Sequence, residues 1–271
     1  MSGAVGLLAG RELASALRAR WFWAYSVIFV LAGVGFVVLA PGDAAVYGYR
    51  SFVKALVGVV HLALLFVPLM ALFPAAAAVA EERENGVLEY LLAQPVDGGE
   101  VYAGKWLGLA VSVLSSVTLG FLVVAGAALW RGVPWLLVLT LYLFVALLAL
   151  VFVSLGLWLS SVSATRARAT TLGISIWLVF AALGTLGLML AFVRLGVPEW
   201  LLVGWALVNP VEAFRLGVVV AVDGDASLLG PVGVALVERL GALGIGFLAA
   251  ASLAGWVAAG WWAGRWRGLK M

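Results

Sequence analysis

Six long stretches of the chain contain no Asp, Glu, Lys or Arg: residues 21–42, 55–80, 106–130, 132–165, 169–193 and 240–264. A bilayer core of about 30 Å is crossed by about 20 apolar residues in a helix, so each stretch predicts a membrane span. The fourth is too long for one crossing, and its polar end at 160–165 is expected in a loop. The first follows Arg18 and Arg20, exceeds the apolar core of a signal peptide and lacks a small-residue cleavage site after it, so it is expected to remain as the first helix. Three segments fall outside the spans. Residues 4–20 place Arg11, Glu12, Ser15 and Arg18 on one side of a helical wheel and Leu13, Ala14, Leu17 and Trp21 on the other, a pattern suited to an interfacial helix. Residues 81–104 form a polar loop. Residues 195–239 make a third segment, long for a connection between helices. The pattern predicts an all-α polytopic membrane protein with one domain over 1–271.

Composition agrees with that reading. The 271 residues include only 16 basic and 13 acidic side chains, 11% of the chain, and 65% are hydrophobic. Soluble domains run near 25% charged, so a soluble enzyme, a nucleic-acid-binding domain and a disordered chain are all excluded. Six spans put both termini on one side. On that side lie Arg11, Arg18, Arg20, Arg83, Lys105, Arg166, Arg168, Arg265, Arg267 and Lys270, against Arg50, Lys54, Arg131, Arg194, Arg215 and Arg239 on the other. The positive-inside rule then sets both termini in the cytoplasm. Tryptophans near the span ends, such as Trp106, Trp130, Trp135 and Trp261, fit an interfacial belt.

The 81–104 loop opens on Glu81-Glu82-Arg83-Glu84 and continues through Gly86 into an amphipathic helix. In that helix Val87, Leu88, Leu91 and Leu92 share an arc, with Glu89 beyond its edge. Pro95, Asp97 and Gly98 predict a sharp reversal. The six acids of the loop, counting Glu100, run against the positive-inside trend. An apolar ridge rimmed by carboxylates suits a groove on a cytoplasmic partner, whereas the plainer alternative is a solvated loop with its helix resting on headgroups. Residues 99–106 also fit seven positions of a phosphate-binding loop. The eighth is Trp106 where a Ser or Thr must hold magnesium, and no strand precedes the run. No catalytic residue is assigned. The acids sit in an exposed loop with no cleft, and ATP hydrolysis is not expected of this chain.

Beyond the membrane, Asn209-Pro210-Val211-Glu212 reads as a helix start, with Asn209 as cap, Pro210 in the first position and Glu212 closing a capping box. Val211, Phe214 and Val218 then share a face. Asp223 and Asp225 are too few for calcium and read as a turn. There is no cysteine and one histidine, His61, so no metal site is expected. His61 is expected to face the bundle. Gly104/Gly108, Ala251/Gly255/Ala259 and Gly260/Gly264 repeat small residues every four positions, which lets helices approach closely. The charge-free spans argue against ion coupling.

Glu82-Arg83-Glu84-Asn85-Gly86-Val87-Leu88-Glu89, then Leu91-Leu92, Pro95, Glu100 and Gly104-Lys105, resemble the loop between spans two and three of type-2 ABC transporter permeases. Arg11-Glu12-Leu13 with Leu17-Arg18-Ala19-Arg20 resembles their N-terminal interfacial helix, and six spans in about 270 residues match the family. The resemblance implies a homodimer in a bacterial or archaeal cytoplasmic membrane. Each copy would dock a separate ATPase subunit, with ATP and Mg on that subunit and no cofactor here. It assigns ATPase coupling to Glu81 through Lys105 over the residues just quoted, and to Arg11, Glu12, Leu13, Leu17, Arg18 and Arg20. Leu207–Leu216, with Gly230-Pro231-Val232-Gly233, resembles the outer segment of those permeases that serve copper-centre maturation of nitrous oxide reductase. Their complexes add a periplasmic β-helical protein, which implies partner binding by Asn209, Pro210, Glu212, Phe214 and Arg215. Alternative readings are a type-2 exporter of lipid, drug or peptide, or a non-transporting scaffold or immunity protein. Membrane lipid is an expected partner and nucleic acid is not.

Overall fold

The computed structural model describes residues 3–39, 49–94, 96–130, 132–182, 184, 199–223 and 231–267, all of them helix or short connections. In chain order the helices are α1 (Gly3–Arg18), α2 (Arg20–Leu39), α3 (Tyr49–Ala78), α4 (Ala80–Glu84), α5 (Val87–Leu92) and α6 (Gly98–Trp130). They continue as α7 (Trp135–Val162), α8 (Arg166–Ala182), α9 (Glu199–Val208), α10 (Pro210–Asp223) and α11 (Pro231–Arg267). Gly241, at φ 68°, breaks α11 into two helical arms.

Among the described residues four stretches are long and apolar enough to cross a bilayer: Val60–Glu84, Gly98–Trp130, Trp135–Val162 and Leu240–Trp266. A fifth is the pair Val5–Arg18 and Phe22–Gly35, bent by 61°. The predicted span at 169–193 is described as α8 over 17 residues, and most of its second half lies outside the described residues. The predicted loop residue Pro95 also lies outside them. One boundary moves clearly. The apolar run begins at 106, but α6 begins at Gly98 and is 33 residues long. At 1.5 Å per residue that is about 50 Å, so α6 extends well past a bilayer core.

Helix α7 is the hub, packing against α3, α6, α8, α10 and α11. Its sequence is apolar on every side, and from Leu148 to Leu157 nearly every residue is buried, as a helix without a polar face requires. Hydroxyl and indole contacts tie the helices together where the side chains are otherwise apolar. Ser26 on α2 meets Ser116 on α6 at 2.5 Å, Thr118 meets Tyr142 at 2.7 Å, and Trp106 Nε1 donates to Ser154 Oγ at 2.9 Å. Such bonds hold membrane helices together where the hydrophobic effect does not distinguish protein from lipid.

The small-residue pairs have distinct uses. Gly104 and Gly108 seat α1: a Cβ at Gly108 would stand 2.5 Å from Glu12 Cβ and 2.8 Å from the Ala9 carbonyl. Gly260 lies against Ser154 and Gly264 against Tyr102. Ala251, Gly255 and Ala259 lie instead on the exposed face of α11. His61 is likewise on an exposed face, that of α3, rather than in the bundle.

Candidate functional site

Helix α3 carries Pro68 and Pro74 and breaks at Val79. There Ser160 Oγ of α7 accepts from both Val79 N and Ala80 N at 2.9 Å. Helix α4 follows, and its four charged residues together reach α1, α6, α7 and α8, with Glu81 and Glu84 both meeting Arg166. Glu81 pairs with Arg166 Nη1 at 3.2 Å. Glu82 pairs with Arg11 of α1 and with Lys105 of α6, both at 2.8 Å. Arg83 donates to the Ser163 and Ser161 carbonyls at 2.5 and 2.8 Å, satisfying acceptors that the end of α7 leaves open. Glu84 accepts from the first amide of α8, Arg166 N, at 3.1 Å. A carboxylate there also complements the helix dipole.

Lys105 is the centre of this clasp and is only 1% exposed. Its ammonium donates to Glu12 Oε1 at 2.9 Å and to the Ala78 carbonyl at 3.2 Å, and it forms an ion pair with Glu82 Oε2 at 2.8 Å. A buried ammonium is tolerable only when paired charges and acceptors surround it in this way. The phosphate-loop match at 99–106 is therefore helix throughout, with its lysine committed to two carboxylates. A cavity of about 770 Å³ opens beside the clasp, lined by Arg11, Glu12, Glu81, Glu82 and Arg166 together with Tyr25, Phe73 and Pro74.

Below the clasp the chain reverses at Asn85 and Gly86. Gly86, at φ 72°, adopts the left-handed conformation that ends a helix and that a side chain disfavours. In α5, Leu88 is 4% exposed and belongs to the main core, and Leu92 packs against the same core. Leu88 is thus an anchor, not a part of a free apolar ridge. The outward residues are Val87, Glu89 and Tyr90, with Tyr90 70% exposed. Tyr90 carries the largest outward side chain of α5 and stands on the face of the helix opposite Leu88. Gly98 begins α6, and Asp97 Oδ2 accepts from Gly99 N at 3.0 Å. Glu100 lies in the first turn of α6.

Helix α1 lies on α6, with Leu8, Ala9 and Glu12 meeting Gly104 and Gly108. The supposedly polar side of α1 therefore supplies part of the packing face, because Glu12 is drawn to Lys105. Leu13 is half-buried, while Leu17, Arg18 and Arg20 are exposed near the bend into α2. Trp23 Nε1 donates to the Leu17 carbonyl at 3.0 Å across that bend.

Helices α9 and α10 form a hairpin whose turn meets α11 at Ser252 and Trp256, with α10 set against α11, α7, α3 and α8. Asn209 caps α10 as expected, accepting from Val211 N at 3.0 Å, and its Nδ2 donates to the Phe180 carbonyl at 2.8 Å. The reciprocal half of the capping box does not form. Asn209 N is already bonded to the Trp205 carbonyl, and Glu212 pairs with Arg215 at 2.8 Å. Asn209, Pro210, Glu212 and Phe214 are buried and Arg215 is half-buried, so these side chains hold the hairpin in place and are not an outward surface. Trp256 Nε1 and Ser252 Oγ donate to the Val208 and Leu207 carbonyls at the end of α9.

The family described as ABC-2 family transporter protein matches residues 7–256. Two relatives are each called probable ABC transporter permease protein NosY. The one from Stutzerimonas stutzeri is 29% identical over 236 residues, covering 82% of this chain and 84% of its own length. The one from Pseudomonas aeruginosa is 31% identical over 220 residues, covering 78% and 80%. With its buried-helix bundle and a match that runs through α1, the clasp and α10, this chain belongs to the ABC-2 family of transporter proteins.

Proposed function

We propose that the chain is the membrane-spanning subunit of an ATP-driven transporter. It works as a homodimer and receives force from separate ATPase subunits through the outward face of α5. The carrying observation is the clasp. Four consecutive charged residues, Glu81 to Glu84, are bonded to α1, α6, α7 and the start of α8. A push on Val87, Glu89 and Tyr90 would reach four elements through ion pairs and carbonyl contacts, not through one flexible loop. An exposed tyrosine flanked by a carboxylate suits a partner groove, since aromatic anchors dominate protein contacts. The clasp then lies in the cytoplasm, with α1 and the end of α11 on the same side. Arg265 of α11 approaches Gly99 and Leu8 of α1 approaches Gly104, which supports an even number of crossings.

Chemistry on this chain is positional. ATP and Mg belong to the partner, and no covalent step is assigned here. The resemblance of Leu207–Leu216 to permeases that serve copper-centre maturation of nitrous oxide reductase favours that client process, with a β-helical protein as the outer partner. Asn209 and Glu212 are buried and are not part of that contact. The test is retention of the ATPase on the purified permease. Tyr90→Glu and Val87→Glu should lose the ATPase while the permease keeps its helical content and elution volume. Undiminished retention in both variants would remove α5 as the docking element.

A further inference from the structure

The elbow between α1 and α2, bent by 61°, carries two arginines that the bundle does not use. Arg18 closes α1 and Arg20 opens α2. Both are exposed, and neither makes an ion pair among the described residues. Three carboxylates, Glu12, Glu81 and Glu82, line the neighbouring cavity together with Ser15 and Ala19. All three are held by other cations: Glu12 by Lys105, Glu81 by Arg166, and Glu82 by Arg11 and Lys105. Glu12 is also the sole acid in residues 1–42. The elbow therefore keeps two uncompensated positive charges.

Its apolar side is just as definite. Phe22 is fully buried and meets Trp23 edge-on, with ring centroids 5.3 Å apart. Trp23 Nε1 donates to the Leu17 carbonyl at 3.0 Å. The indole is thus fixed across the bend with its polar group satisfied, while its ring stays 54% exposed. Leu17 beside it is exposed as well. No charged residue occurs from Trp21 to Gly42, so the two arginines stand where α2 leaves the headgroup layer for the apolar core, the depth at which tryptophan concentrates.

We infer that this elbow is a binding site for an anionic phospholipid, its phosphate on Arg18 and Arg20 and its upper acyl chain against Trp23 and Leu17. A guanidinium presents five N–H donors in a fork that matches a phosphate. Unmatched basic residues at the end of a span attract lipids of net negative charge. A zwitterionic lipid brings an ammonium as well, and the carboxylates nearby are already engaged. The inference requires only that α2 enters a membrane at this bend, and it is independent of the role proposed for α5.

The test is native mass spectrometry of the full chain, equilibrated in nanodiscs of equal phosphatidylglycerol and phosphatidylcholine and then released in mild detergent. The wild type should retain phosphatidylglycerol with a several-fold preference. The double variant Arg18→Gln/Arg20→Gln should lose that preference at unchanged helical content, since neither side chain holds the bundle. Arg168→Gln, at another exposed arginine without an ion pair, should keep it. Trp23→Ala should lower the amount of lipid retained. Millimolar inorganic phosphate should not displace the lipid; displacement would make a free anion the occupant and overturns the inference. So does a wild type without preference, or a double variant that keeps it. A double variant that loses the ATPase and keeps the lipid preference would make the elbow a protein contact and overturns it too.

Discussion

At the scale of single residues, burial separates anchors from contact points in the 81–105 region. Lys105 is buried among groups of α1, α3 and α4, donating to Glu12 and the Ala78 carbonyl and pairing with Glu82. Replacing it with Met leaves Glu12 without its cation and Glu82 with Arg11 alone, and breaking a buried pair costs about 3–5 kcal/mol. A clear fall in the thermal midpoint of Lys105→Met in detergent is the expected outcome. Leu88→Ala should also destabilise, by about 2–5 kcal/mol, since it removes a core side chain. Tyr90→Ala, by contrast, should change stability by no more than about 0.5 kcal/mol, as an exposed substitution does. Thermal denaturation of the three variants side by side checks the ordering. The sequence placed Leu88 and Leu91 together by periodicity and passed over Tyr90. Periodicity assigns side chains to faces, but which face the bundle covers depends on contacts 71 to 93 residues away.

At the scale of elements, α1 and the α9–α10 hairpin are held by different means. A close glycine seat and the Lys105 clasp hold α1. Gly108→Leu would drive a side chain into Glu12 Cβ and the Ala9 backbone, lifting α1 from α6. Trypsin should then cut at Arg11 and Arg18 faster than in the wild type, while an unchanged rate would mean that α1 is held elsewhere. The hairpin is held by backbone-directed bonds at Asn209. Asn209→Ala should destabilise by at least the ~1 kcal/mol typical of a lost N-cap, read by thermal denaturation. The spans were legible because a charge-free run of that length has few alternatives. The cap at Asn209 was legible because capping is local. The inward set of α10 was not, because an apolar short helix reads equally well as an interfacial one. The glycine pair at 104 and 108 was legible as a close approach, though not that α1 would fill it.

At the scale of the whole molecule, the 29 charges divide into those that bind the chain to itself and those left for others. Glu12, Glu81, Glu82, Glu84, Arg11, Arg83, Lys105 and Arg166 are engaged within the clasp. The charges of the clasp thus fasten the bundle to itself, and the partner surface proposed above is the short face of α5. This makes docking and transmission separable. Tyr90→Glu should lose the ATPase, whereas Arg83→Gln should keep it while loosening α4 from α7. The most direct test uses the absence of cysteine in the chain. A spin label at Val208→Cys, on the exposed end of α9, reports one distance between the two copies of the dimer. With the ATPase bound, adding a non-hydrolysable ATP analogue should shift that distance in the otherwise wild-type protein and leave it unmoved in Arg83→Gln. An equal shift in both proteins, with equal ATPase retained, would contradict transmission through the clasp.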